Sequence, residues 1–413
     1  MARWVHTRAA MILDSVESHP TPDGPPVIIG ELAGASSRRL LLYSHYDVVP
    51  TGSADTWTTD PFGAELRDGY VYARGVGDDK ADVVARLHAL ECWTQTRGAP
   101  PWTILWLCEG TEEIGSPGLA EVLDANHERL QADGCLWESY YNNIEGRPAI
   151  GFGSCGALDV ELSVDLLDAD QHTGQANVYR SATGLLVRAL ASLTDENGEI
   201  AVAGFHDPVL PLDAPVLAAL ERSPPPPVDA ALPGANALWS SDLAQLTRRW
   251  LAAPSISFGG VVSRDGRLVD GVAAGARAPV NIRLMPDQDP HEMASLLRAH
   301  LDAHKFEEVD LHVQTTIPPA RCPLDTDLSL AVQAALRDVH GPVDPILHPM
   351  VPGSGPLHLI AGRLGVPAVM PPGTIRTDSG MHGPDEHASV SDYLNEVRLT
   401  VSVLDQLAQG LKD

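Results

Sequence analysis

Apolar positions along the chain fall into short runs separated by stretches of helical spacing, and the period changes from place to place. Residues 4–17 carry the three-to-four spacing of an amphipathic helix and lead into a Pro-rich turn at 20–26. Residues 27–32 and 40–44 are short apolar runs joined by a small polar loop, which predicts a pair of strands. A helix over 81–96, a buried strand over 102–108, a helix over 121–130 and a short strand at 134–137 follow. Strands alternating with helices predict an α/β layer on a largely parallel sheet.

The texture changes near Gly151. Residues 157–166 alternate apolar and polar, as in a half-exposed strand. A helix at 177–193, strand-like segments at 199–205, 255–261 and 278–285, a helix at 289–305 and a strand at 309–315 complete a separate α+β unit. Within it, 206–245 holds the run SPPPPVD and reads as an excursion or loop. From Leu324 the α/β texture returns, with helices at 325–338 and 389–408. The expected organisation is one α/β domain, 1–153 and 317–413, interrupted by a smaller inserted domain, 154–316.

A chain of 413 residues fits this two-domain reading, and 44% hydrophobic residues suffice for a sizeable core. The formal net charge of -27 argues against nucleic acid as a partner, because such a surface repels phosphates. The five cysteines (Cys92, Cys108, Cys135, Cys155 and Cys322) show no C-x-x-C spacing, which argues against a disulfide framework or a zinc knuckle. A reducing compartment is expected. No segment reads as a signal peptide or a membrane span, so a cytoplasmic protein that does not engage a membrane is expected.

The chemistry concentrates where predicted strands end. His45 and Asp47 follow the run LLLYS, and residues two apart in a strand point to one side. Asp47 can therefore fix the tautomer of His45, leaving the other ring nitrogen for a metal. Asp78 and Asp79 sit in RGVGDDK before a helix, and adjacent aspartates are costly to hold together without a cation. Glu112 and Glu113 follow the run TILWL, where one carboxylate could bind a metal and the other move protons. Glu138 ends another strand, and His382 lies in the turn-rich HGPDEH. Each motif alone also reads as an acidic loop or helix start. Together they converge at the carboxyl edge of an α/β sheet. Oxygen-rich ligands with two histidines suit Zn²⁺ or Mn²⁺.

The stretches LLLYSHYDVVP, WTTDPF with DGYVYARGVGDDKA, CEGTEEIGSPGL, RPAIGFGSCG, GSGP and HGPDEH occur in order. They resemble the co-catalytic di-zinc metallopeptidase family of carnosinase, cytosolic non-specific dipeptidase, carboxypeptidase G and acetylornithine deacetylase. The resemblance implies a phosphorylase/hydrolase-like catalytic domain and a ferredoxin-like lid that also forms a homodimer interface. It implies two divalent ions, Zn²⁺ first with Mn²⁺ or Co²⁺ as alternatives. His45 would bind one ion and His382 the other, with Asp78 bridging. Glu113 would ligate one ion and Glu138 the other. Glu112 matches the general base and Asp47 the partner of His45. His172, in DADQHTGQAN, resembles the lid histidine that reaches the partner subunit's active site. Arg283, in NIRLMP, resembles the arginine that grips a substrate carboxylate. Gly353, Ser354 and Gly355 resemble the loop that lines the substrate pocket.

The chain departs from the family pattern in carrying Asp385 where asparagine is usual, and in lacking Val-Ile-Pro upstream of Arg283. The expected reaction is hydrolysis of an amide bond in dipeptides or small peptides with a free C-terminus. An N-acyl or N-carbamoyl amino acid amidohydrolase, and a catalytically silent binding protein that keeps the fold, are the alternatives.

Overall fold

The computed structural model describes residues 1–22, 24–142, 147–209, 211–226, 238–267 and 269–410. Its larger sheet has six strands in the order Ser15–His19, Val27–Leu32, Thr103–Glu109, Arg39–His45, Gly134–Leu136, Ala368–Val369. The three pairings among the last four strands are parallel, and the two at the opposite edge are antiparallel. The central strands are apolar without interruption because both faces are covered. Leu40, Leu42, Ile104 and Trp106 enter one core, packed by the helices Ala81–Arg97, Asp327–His340 and Val390–Gln409. Their alternates Leu41, Tyr43, Leu105 and Leu107 enter a second core with Leu119, Val122 and Leu123 of the helix Leu119–Ala125.

The inserted unit is an antiparallel sheet in the order Ser255–Phe258, Gly275–Leu284, Gly156–Asp165, Asp310–Ile317. Along Gly156–Asp165, the buried residues Leu158, Val160, Leu162 and Val164 face the helices Ala182–Ser192 and Pro290–Ala303. The second helix starts on Asp289, which accepts from the His291 and Glu292 amides, with a proline in the first turn.

Several expectations are corrected. The helix expected over 4–17 covers Ala2–Ala9 only, and Ser15–His19 is a strand pairing with Val27–Leu32. Val5, Ala9 and Leu13 do share one buried face, but the open sheet edge captures the segment beyond them. The runs 27–32 and 40–44 do not pair with each other, because Thr103–Glu109 lies between them. The helical crossover through Ala81–Arg97 makes Thr103–Glu109 parallel to Arg39–His45 and takes the place of a hairpin partner. Segment 199–205 forms turns and one isolated bridge, Thr194–Ile200, in place of a strand.

The excursion 206–245 is not plain loop. It contains the helix Ala214–Arg222 and leads into Leu243–Ala252. Val216, Leu220 and Leu251 bury together against Leu324 of the catalytic unit. In the proline run, residues 227–229 lie outside the described residues.

Candidate metal centre

Parallel pairing puts the carboxyl ends of three strands on one edge. His45 closes Arg39–His45 opposite Glu109, and Glu138 lies just past Gly134–Leu136. Arg86, on the helix Ala81–Arg97, locks these ends. Its fully buried guanidinium donates to the Tyr43, Leu136 and Trp137 carbonyls, to Ser44 Oγ at 3.2 Å and to Asp82. Asp82 in turn accepts from Ser139 N at 2.7 Å and Ser139 Oγ at 2.9 Å, which fixes the residue after Glu138.

At the centre stands Asp78. One of its oxygens is 3.0 Å from His45 Nε2 and the other 3.1 Å from His382 Nε2. His382 Nε2 is also 3.2 Å from Glu113 Oε2. Single ligand atoms of His45, Asp78 and Glu113 lie within 4.8 Å of one another. On the far side of His45, Nδ1 meets Asp47 at 3.2 Å. Asp47 also accepts from the amides of Glu112 (3.2 Å) and Glu113 (3.1 Å), so one carboxylate orients a histidine and the acidic loop together. Asp79 accepts from His45 N at 3.0 Å, and the Asp78–Asp79 peptide is cis.

Glu138 Oε1 is buried and has no hydrogen-bond partner among the described residues. An orphaned carboxylate oxygen beside His45 and Asp78 is the mark of a position that a cation completes. Two imidazoles, three carboxylates and no thiolate form a donor set that fits borderline-hard divalent ions.

The charges confirm how crowded this edge is. Burial pushes Glu112 up to about 8, with the neighbouring Asp78 and Glu113 adding to the rise. Burial, then the charge of Glu112, raises Glu138 well above the carboxylate range. Burial alone would raise Asp78 too, but its bonds to His382 and His45 leave it lowered. His382 is pushed up to about 10 by its bonds to Asp78 and Glu113. Burial pulls His45 down, yet the bonds to Asp47 and Asp78 more than offset this and leave it raised.

Of the two lid-side candidates, the structure brings Arg283 to this edge. Arg283 reaches from Gly275–Leu284 to Ser354 Oγ at 2.9 Å. The next residue, Gly355, sits so close to the acidic loop that a Cβ there would lie 3.0 Å from Glu112 Oε1. His172 is exposed and accepts from Gly174 N at 3.1 Å, away from the cluster of its own chain. Asp385 accepts from Thr58 N at 2.8 Å and Thr58 Oγ1 at 3.0 Å, a task that needs only acceptor oxygens and so suits aspartate.

Two buried acids were not singled out from the sequence. Glu109 accepts from Tyr43, Ser116 and Thr111 hydroxyls at 2.7, 2.8 and 3.1 Å and so braces the Glu112–Glu113 loop. Glu386 accepts from Arg74 and from backbone amides of the Asp78 loop. Both lie inside the motifs quoted above. Arg86 was missed as well, although a lone arginine within the apolar stretch ADVVARLHAL was a usable signal.

The sequence model described as Peptidase family M20/M25/M40 matches residues 41–406. A probable di- and tripeptidase, DUG2, of Saccharomyces cerevisiae is 25% identical over 406 residues, covering 94% of this chain and 45% of that protein. A Beta-Ala-His dipeptidase of Rattus norvegicus is 26% identical, covering 96% of this chain and 84% of that protein. The solved structure of an M20 family metallo-carboxypeptidase, Sso-CP2, from Sulfolobus solfataricus superposes with a TM-score of 0.90 at 28% identity. That match covers 99% of this chain and 94% of the other. The chain spans about half the length of several curated relatives it matches.

Proposed function

Because this chain belongs to peptidase family M20/M25/M40, we propose that it is a metal-dependent hydrolase of dipeptides or other small peptides with a free C-terminal carboxylate. The observation that carries the reading is the Asp78 carboxylate, with one oxygen 3.0 Å from His45 and the other 3.1 Å from His382. Asp78 would be shared between two bound ions. His45 and Glu138 would hold one of them, and Glu113 and His382 the other. When bound, two divalent ions supply Lewis acidity and a water activated for attack at neutral pH. Zn²⁺ is the first choice on this donor set, with Mn²⁺ or Co²⁺ as alternatives.

The protein's own groups do the rest. Glu112 takes the proton of the attacking water and returns it to the leaving amine. Asp47 holds His45 in the tautomer that presents Nε2 inward. Arg283 and Ser354 receive the substrate carboxylate. Ser354 bonds the arginine, and a Cβ on the adjacent Gly355 would lie 3.0 Å from the base, so one loop runs between the two functions. His172 from a second copy of the chain donates to the developing oxyanion, which makes the enzyme a homodimer through its lid. Donors of this kind contribute ~2.7–4 kcal/mol in hydrolases. Among the described residues no helix is long and apolar enough to cross a membrane, and a cytoplasmic location belongs to the same proposal.

The test is hydrolysis of a mixed library of dipeptides and N-acyl or N-carbamoyl amino acids by chelated protein, before and after adding Zn²⁺ or Mn²⁺. Metal-restored release of C-terminal amino acids from dipeptides supports the reading. Turnover confined to the N-acyl or N-carbamoyl compounds would move the assignment to the amidohydrolase alternative. No turnover under any metal would sink both.

A further inference from the structure

The two loops that carry Asp78 and His382 have little regular structure to hold them. Gly75 lies at φ 75°, in the left-handed region, and a Cβ there would strike Val48 at 2.1 Å. On the other loop, Gly380, His382 and Asp385 all have positive φ, at 66°, 60° and 55°. A non-glycine residue in that region is strained and persists only where its surroundings over-determine it. Yet these loops set the spacing of the central carboxylate against a histidine from a segment some 300 positions later in the chain, by 304 in sequence separation.

One side chain spans the gap. Glu386 is 1% exposed, and each of its oxygens is fully used. Oε2 accepts from Arg74 Nη1 at 2.6 Å and Gly75 N at 2.8 Å, and Oε1 from Gly77 N at 3.0 Å and Asp78 N at 3.3 Å. Arg74, 3% exposed, returns across the gap to the Gly383 carbonyl at 2.9 Å. The result is a closed loop of bonds from the residue after His382, through Arg74 and Glu386, to the amide of Asp78. Because both oxygens face N–H donors, Glu386 has no lone pair left for a cation and is not itself a ligand.

We propose that Glu386, with Arg74, is a positioning residue that clasps the two loops and sets the Asp78–His382 spacing at which a metal is bound. The proposal rests on the reading of Asp78 and His382 as ligands. A carboxylate is needed here, because an amide would turn an NH₂ group toward N–H donors whichever way it flipped. Loss of a partner that orients ligands weakens metal affinity ~10- to 100-fold in other sites.

The test compares wild type, Glu386→Gln, Arg74→Met and Asp78→Asn. Stepwise Mn²⁺ binding to the full-length protein is followed by calorimetry, and amide exchange at Gly75 and Gly77 is followed in the metal-free form. Glu386→Gln is expected to weaken one binding step ~10- to 100-fold, to leave the other step less affected, and to speed exchange at both glycines. Arg74→Met, which keeps the carboxylate and its three amide bonds, is expected to show the same changes to a smaller degree, and it decides the matter if the glutamine variant does not fold. Wild-type affinity at both steps in whichever of these variants folds overturns the clasp. Asp78→Asn separates the two claims. If it retains both ions, the ligand assignment fails, and if it loses them while Glu386→Gln does not, only the clasp fails.

Discussion

A methyl group on Gly355 would lie 3.0 Å from Glu112 Oε1 and push the carboxylate aside by a few tenths of an ångström. Gly355→Ala is therefore expected to lower kcat about 10- to 100-fold while KM changes little, since a shift of that size misplaces the base without touching Arg283. Steady-state kinetics on a cleaved dipeptide check this. The titrating groups give a second expectation. In the metal-free protein Glu112 and His382 have raised pKa values, about 8 and about 10, so the folded form holds more protons than the unfolded one above pH 4.5. The sign follows: metal-free stability is greatest below those ordinary values and falls as pH rises through about 8 and then about 10. Metal loading must expel those protons, so the gain in Tm on adding Zn²⁺ should grow over the same range. Melting curves from pH 6 to 10 with and without the ion test both signs. At this scale, His45, Asp78, Glu113 and His382 were legible because each sits at a strand end or in a turn rich in glycine. Glu109 and Glu386 were not. An acid that accepts bonds from its own neighbours looks the same in sequence as one that waits for an ion.

Among the elements, the helix Ala81–Arg97 does more than cover the sheet. Arg86→Met is expected to destabilise the fold by ~3–5 kcal/mol, because it strands strand-end carbonyls and the buried Asp82 without their cation. Urea unfolding measures the loss, and a change under 1 kcal/mol would remove Arg86 from this role. The central strands were readable because runs such as LLLYS and TILWL are too apolar to be anything but doubly covered. The edge strand Ser15–His19 was not, since its exposed, mixed sequence SVESH carries no alternation and its state is decided by the edge it joins. The helix Ala214–Arg222 hid for a different reason. It is short and lies in a proline-rich stretch, although Asp213 and the proline after Ala214 mark its start.

For the whole molecule, the exposed His172 and the complete acid cluster of one chain lead to a complementation experiment. On the proposed dimer, His172→Ala and Glu112→Gln should each lose most activity on their own, the second with its metals retained. The mixed dimer purified after co-expression should regain up to about half the wild-type rate, because one of its two sites has an intact base and an intact histidine. No recovery in a purified mixed dimer would place His172 outside the chemistry. The insertion was legible from the switch between continuous and alternating apolar runs near Gly151. Its seating was not, because the contacts that seat it join residues distant in sequence through unremarkable leucines and valines. Those contacts bear on motion. The helices Ala214–Arg222 and Leu243–Ala252 belong to the inserted chain but bury Val216, Leu220 and Leu251 with Leu324, and Trp250 stands edge-on to His348, ring centroids 5.5 Å apart. Swinging the lid as one body would pull these helices off Leu324 and His348 and expose the apolar surface they cover there. The helix pair is therefore expected to stay moored to the catalytic unit in any swing of the sheet bearing Arg283, like a door whose post is built into the frame.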